Sequence, residues 1–121
     1  MPIRYHSEVE GDHLHVVIAG SLCSVEEMIC YIDRIHDDLV LAGLCRVLAD
    51  ETNCHVHMNF DALKHALDQI HEPEELLVAG RKSAVVSSGI NHVLSRHMLD
   101  PIGPIKVFTD EEAARRWLAE V

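Results

Sequence analysis

Residues 105–121, Ile-Lys-Val-Phe-Thr-Asp-Glu-Glu-Ala-Ala-Arg-Arg-Trp-Leu-Ala-Glu-Val, constrain the fold more than any other stretch. An extended run ending at Thr109 passes directly into a helical period, with Ala113, Ala114, Trp117, Leu118 and Val121 on one stripe. Thr109 and Glu112 have the spacing of a capping box, in which a hydroxyl accepts a backbone N–H at the helix start and a carboxylate reaches back. Ser24 and Glu27 repeat that spacing ahead of a second amphipathic pattern. There Val25, Met28, Ile29, Ile32, Ile35 and Leu39 share a face opposite Glu26, Asp33, Arg34 and Asp37, and Gly43 supplies a C-terminal stop. A strand feeding a capped helix is the repeating unit of an α/β sheet.

The remaining segments extend the pattern. Residues 3–9 and 13–19 read as strands around a Glu10-Gly11-Asp12 turn, and the second becomes continuously apolar, as a strand moving into a sheet centre does. Residues 45–50 are a third strand, followed by a polar loop over 51–57. A second helix starts near Asn59 with Phe60, Leu63, Leu67 and Ile70 inward, and Pro73 breaks it. Residues 74–79 add a short helical turn, 83–87 a fourth strand, and 90–99 a third helix. The order β-β-α-β-α-β-α-β-α predicts one α/β domain over residues 1–121. Its sheet is five-stranded, mixed and mostly parallel, with one antiparallel edge strand, right-handed crossovers and covering helices.

A chain of 121 residues buries roughly two-thirds of its unfolded surface. Because 48% of residues are hydrophobic and only 4% aromatic, that core is aliphatic. A formal charge of −10 disfavours nucleic acid and anionic membrane surfaces as partners. The first residues lack an apolar signal region, and no apolar run approaches the roughly 20 residues that span a bilayer. The expectation is a cytoplasmic protein without membrane insertion. Cys23, Cys30, Cys45 and Cys54 contain no C-x-x-C pair and read as reduced thiols.

Four features together resemble the STAS domain of anti-sigma-factor antagonists, and more closely the SpoIIAA-like (STAS/SEC14-like) group of small bacterial proteins. They are Gly20-Ser21 at the end of strand two, Ser24-Val-Glu-Glu27 at the helix start, Val47-Leu-Ala-Asp50 at the end of strand three, and the tail from Val107 to Leu118. The resemblance covers essentially the whole chain. It implies the SpoIIAA-like fold and a role in binding a protein or a ligand, and it supplies no reaction. In phosphorylatable members a serine sits in an Asp-Ser-Ser-Gly type loop after strand three, at the start of helix two. The corresponding segment here, residues 50–59, has no Ser-Ser-Gly, and Thr52 is its only hydroxyl.

In open α/β sheets ligands collect at the C-terminal ends of the strands, where helix N-termini offer unpaired N–H groups. That edge would carry Ser21, Ser24, Asp50, Thr52, Asn53, Ser87, Ser88, Gly89 and Asn91, with Ser87-Ser88-Gly89 as the best anion cradle and capping as the alternative role of Ser88. Cys54, His55 and His57 form the densest group of metal-capable side chains, with zinc as the ion that thiolate and imidazole suit. Cys54 beside His55 is not a nucleophile–base pair, because adjacent strand residues point to opposite faces. His13 and His15 share a strand face as a half-exposed pair, and His36, His65 and His71 read as solvent-facing helix positions. No G-x-S-x-G, Walker, G-x-G-x-x-G or H-E-x-x-H motif occurs. The leading expectation is a non-enzymatic interaction or regulatory module without a resident cofactor, whose partner is another protein, a second copy of the chain being one candidate. The alternatives are a carrier of a small apolar or lipid-like ligand, and a metal protein or enzyme using the Asp50–Asn59 loop.

Overall fold

The computed structural model describes residues 3–57, 59, 61–62, 64–65, 82–87 and 105–120. Five strands, β1 (Arg4–Glu10), β2 (His13–Leu22), β3 (Arg46–Val56), β4 (Lys82–Val86) and β5 (Ile105–Phe108), form one sheet in the order β1-β2-β3-β4-β5. β1 pairs antiparallel with β2, and every other neighbouring pair is parallel. The described helices are α1 (Val25–Ala42) and α2 (Glu111–Ala119). The expected mixed sheet with an antiparallel edge strand is therefore present. Of the helix expected from Asn59, residues 61–62 and 64–65 are helical, and Asn59 Oδ1 accepts the Ala62 N–H at 2.8 Å. The rest of that helix, the turn over 74–79 and the helix over 90–99 lie outside the described residues.

The β1–β2 hairpin closes over two residues, Gly11 and Asp12, between paired Glu10 and His13. Gly11 takes φ 62° while Asp12 keeps a negative φ, the pattern of a type II′ turn. Alternation then sends Tyr5, Ser7, Leu14, Val16, Ile18, Val47, Ala49, Val85 and Val107 to one face of the sheet. His6, Glu8, His13, His15, Leu48, Ala84, Val86 and Phe108 go to the other. α1 covers the first face, where Tyr31, Ile35 and Leu39 pack against Leu14, Val16, Ile18, Leu22, Val47 and Cys54. α2 covers the second, where Ala114 and Leu118 pack on Leu48, Ala84 and Val86, flanked by Phe108 and Trp117. His36 is buried at 2% exposure rather than solvent-facing, because its spacing from Ile32 and Leu39 places it on the flank of the inward stripe.

α1 begins and ends as its sequence dictates. Ser24 Oγ accepts the Glu27 N–H at 3.2 Å, while the Glu27 carboxylate accepts from the Cys23 N–H and the Ser24 hydroxyl, each at 3.3 Å. Gly43 adopts φ 67° and the Leu44 N–H returns to Leu39 O at 2.9 Å, closing the helix through a left-handed residue. The tail differs by one residue from the expected box. Asp110, not Thr109, is the N-cap, its carboxylate accepting from Glu112 N at 3.1 Å and Ala113 N at 3.3 Å. Asp caps as well as Thr does and adds a negative charge at the positive helix end, so the helix starts at Glu111.

The far end of α2 is held by cations from strand starts. Arg46 donates to Leu118 O at 2.8 Å, and Lys82 donates to Trp117 O and, at 3.0 Å, to Glu120 O, with its ammonium 4.4 Å from the centre of the Trp117 ring. These contacts satisfy carbonyls that a helix leaves without partners and place positive charge at its negative end. Lys82→Met keeps the apolar stem but removes both donors. It is expected to lower stability by about 1–2 kcal/mol in chemical denaturation.

Strand three corrects the sequence reading. The segment 51–57, expected as a loop, continues β3 as far as Val56. Pairing with β2 advances from Val17↔Asp50 to Ala19↔Asn53, so Glu51 and Thr52 together oppose the single residue Ile18. That bulge resets the alternation. In an unbroken strand Glu51 and Cys54 would face opposite ways. With the extra residue Glu51, Cys54 and Val56 all turn toward α1, and Asn53 and His55 turn away. Three apolar-poor residues in succession therefore read as a loop although their backbone is strand. β2 likewise runs three residues beyond the expected Ala19, to Leu22.

Candidate functional site

β3 pairs with β4 only as far as Asp50↔Val86, while its pairing with β2 continues to Leu22↔Val56. The ends of β2 and β3 thus project beyond β4 as a two-stranded ribbon. On this ribbon Asp50 Oδ1 accepts both the Thr52 N–H at 3.0 Å and the Thr52 hydroxyl at 2.6 Å, which fixes the bulge. Thr52, Asn53, His55 and His57 are exposed, and Ser21 is half-buried opposite His55. Ser24 caps α1 at the same edge.

Beneath the bulge lies a polar contact inside the α1 core. Tyr31 donates from its hydroxyl to Glu51 Oε2 at 2.6 Å. Burial holds the Glu51 carboxyl above the usual carboxylate range, and the neighbouring Asp50 charge adds to this against the opposing effect of the Tyr31 bond. Burial, then the Glu51 charge, hold the Tyr31 phenol well above its ordinary value. Burial first and Glu51 second push the Cys54 thiol up to about 12. Tyr31 packs edge-on against Tyr5, 6.3 Å between ring centres, and Arg34 stacks over Tyr5 at 4.2 Å. Tyr5 and Ser7 both donate to Asp38 Oδ2, at 2.7 and 2.9 Å, which ties β1 to α1.

The expected site residues are thereby distributed. Ser21, Ser24, Asp50, Thr52 and Asn53 do share the C-terminal edge of the sheet. Ser87 is fully buried, its N–H donating to Phe108 O at 2.9 Å, so its side chain is not presented at that edge. Ser88, Gly89 and Asn91 lie outside the described residues. Cys54 is 2% exposed and faces the core, whereas His55 and His57 are exposed with ring centres 6.5 Å apart. The structure separates that thiol from the two imidazoles.

Among the described residues the group whose ligand atoms do converge is Glu8, Glu10 and His15, all within 4.8 Å of one another. His15 Nδ1 lies 3.0 Å from Glu10 Oε2 and its Nε2 lies 4.0 Å from Glu111 Oε1. The Arg115 guanidinium already bridges Glu10 and Glu111, at 3.5 Å and 3.4 Å, and offsets part of the negative charge gathered there. Sequence reasoning passed over Tyr31 and Glu51. Tyr31 stands on the stripe through Met28 and Ile35, which is a readable signal; Glu51 keeps the inward parity of Val47 and Ala49, but a carboxylate in a polar run gives no sign of burial.

No family model matches the chain, and no curated protein matches it by sequence. Solved structures do match over nearly its full length. An anti-sigma factor antagonist from Mycobacterium paratuberculosis superimposes with a TM-score of 0.63 at 11% identity, covering 98% of this chain and 95% of its own. The anti-sigma factor antagonist SpoIIAA in its unphosphorylated form gives 0.58 at 14%, covering 98% and 100%. An uncharacterised Shewanella loihica protein with a SpoIIAA-like fold gives 0.54 at 21%, covering 97% and 93%. The chain has a SpoIIAA-like fold, as its sequence resemblance implied. Among the described residues no helix is long and apolar enough to cross a membrane.

Proposed function

From this fold and the disposition of its strand ends, we propose that the chain is a cytoplasmic, non-catalytic regulatory module that binds another protein through the outer half of β3. The observation that carries this reading is the bulged β2–β3 ribbon. It presents Thr52, Asn53, His55 and His57 outward, while Glu51 and Cys54 turn inward, where burial raises the Glu51 carboxyl above the usual carboxylate range and pushes the Cys54 thiol up to about 12. Beyond Asp50 the side of β3 that faces away from β2 has no strand partner among the described residues, so a bound segment can use backbone and side chains together. That two structural neighbours are anti-sigma factor antagonists supports a protein partner.

Thr52 also marks a departure from the phosphorylatable pattern. It sits on a strand bulge beside Asp50, not at a helix start, and the helical residues begin only after Asn59. A phosphate there would face the Asp50 carboxylate without a helix N-terminus to receive it.

Deleting Thr52 tests the reading. The deletion removes the bulge but leaves Asn53 outward and Cys54 inward, because the strand simply becomes regular. Stability is expected to change by no more than about 1 kcal/mol, read by thermal melting. In affinity capture from the native host, a protein enriched by the wild type is expected to fall about tenfold or more with the deletion, since the recognition ribbon has lost its shape. Equal capture by both forms, or a stoichiometric small molecule or metal retained by the wild type in native mass spectrometry, would overturn it.

A further inference from the structure

β1 is the outermost strand, and its outward edge has no partner among the described residues. The two-residue turn makes Glu10↔His13 the first hydrogen-bonded pair of the hairpin, so alternation points the N–H and C=O groups of Tyr5, Ser7 and Val9 toward that open edge. The side chains of β1 divide by charge along its length. Arg4 and His6 lie at one end, Glu8 and Glu10 at the other, all on the same face. Arg4 has no ion-pair partner among the described residues, and His6 and Glu8 are 72% and 62% exposed, their closest approach being 3.9 Å. On the α1 side Val9 is 58% exposed and, at the end of α1, Leu41 is 85% exposed.

We infer that β1 pairs with β1 of a second copy, antiparallel and centred on Ser7, to join two five-stranded sheets across a two-fold axis. This register follows from the charges. It sets Arg4 against Glu10 and His6 against Glu8 of the other copy, twice each, and no like charges meet. Shifting by two residues either way brings His6 onto His6 or Glu8 onto Glu8. The same register places Tyr5, Ser7 and Val9 at hydrogen-bonded positions. The charged residues then fall at the non-hydrogen-bonded positions, where opposing side chains approach most closely. The exposed Val9 is then set beside Tyr5 of the second copy. An alternating charged edge that repelled strands in general would need one sign of charge; this edge is complementary only to an inverted copy of itself. The assembly goes beyond the proposed recognition ribbon, which stays open because it lies on β3 rather than β1.

Sedimentation equilibrium of the full chain under reducing conditions is expected to show a monomer–dimer equilibrium. His6→Glu turns both His6–Glu8 contacts repulsive and is expected to weaken the dimer about tenfold or more. His6→Glu with Glu8→Lys restores opposite charges in the same register and is expected to restore the dimer. Independently, Ser7→Cys places two thiols on the two-fold axis with Cα atoms about 5.5 Å apart, within disulfide reach. Mild oxidation is expected to link position 7 to itself, located by peptide mapping against the wild type. A wild type that stays monomeric, including one that instead accepts a strand from another protein, would overturn the inference. So would a dimer indifferent to His6→Glu, failure of the double variant to restore it, or absence of the position-7 link.

Discussion

Leu48→Ala is expected to destabilise the protein by about 2–5 kcal/mol in guanidinium unfolding, the largest single-residue effect anticipated here. Leu48 is fully buried on the face covered by α2, between Ala84, Val86, Ala114 and Leu118. Two of those four neighbours are alanines and cannot reach into a vacated volume, so the cavity persists. Besides the packing of Ala114, Leu118 and Trp117 that would remain, α2 is tied to the sheet by polar contacts: those of Arg46 and Lys82 at its C-terminal end, the His15–Glu111 approach at 4.0 Å, and the Arg115–Glu10 pair, 3.5 Å apart and only partly buried. Such pairs contribute little where water competes, so they cannot offset the lost packing. A loss under about 1 kcal/mol would show that α2 does not depend on Leu48 for its seat.

The second large effect concerns Tyr31 and Glu51, and its sign depends on pH. The folded Glu51 carboxyl is held above its unfolded value, chiefly by burial. The folded state therefore binds this proton more tightly than the unfolded chain. Its contribution to stability is fully present below the ordinary carboxylate range and is lost as pH rises through the folded value. Glu51→Gln keeps an acceptor for the Tyr31 hydroxyl without the charge. It is expected to raise stability at neutral pH and to flatten the pH profile above the acid range. Tyr31→Phe acts the other way. It leaves the half-buried carboxylate without its 2.6 Å donor, costs about 1–3 kcal/mol near neutrality, and steepens the loss as pH rises. Denaturation across pH 4–8 measures both, and parallel profiles for wild type and Glu51→Gln would show that Glu51 carries no such linkage.

Where residues act through local spacing, the sequence was a sufficient guide. Ser24, Glu27, Gly11 and Gly43 occupy the cap and turn positions expected of them, and the mixed sheet with one antiparallel edge strand is the one expected. The tail erred by one residue because Thr109 and Asp110 are both competent caps and only the backbone decides between them. β3 extends beyond its sequence pattern because strand recognition counts alternation, and the bulge at Glu51-Thr52 breaks the count in mid-strand. Everything that depends on that count was lost with it. Grouping Cys54 with His55 and His57 as metal ligands needs a loop, whereas the strand sends the thiol into the core. Glu51, read as part of a polar loop, is hydrogen-bonded to Tyr31 on the α1 side of the strand. The His15–Glu10–Glu111–Arg115 group joins residues 96 to 105 apart in the chain with others close by, which no local pattern encodes.

Three consecutive residues of β3 enter three different clusters: Val47 packs under α1, Leu48 under α2, and Ala49 with Val85 and Val107. The two covered faces therefore share one backbone segment rather than resting on separate halves of the chain. Opening either face releases the strand that the other face needs, so neither helix can detach far without weakening the whole sheet. The consequence is cooperativity: among the described residues, the sheet and its two covering helices are wired to melt as a unit. Strain applied at the outer end of β3, where the exposed ribbon projects, bears on both cores along a single strand.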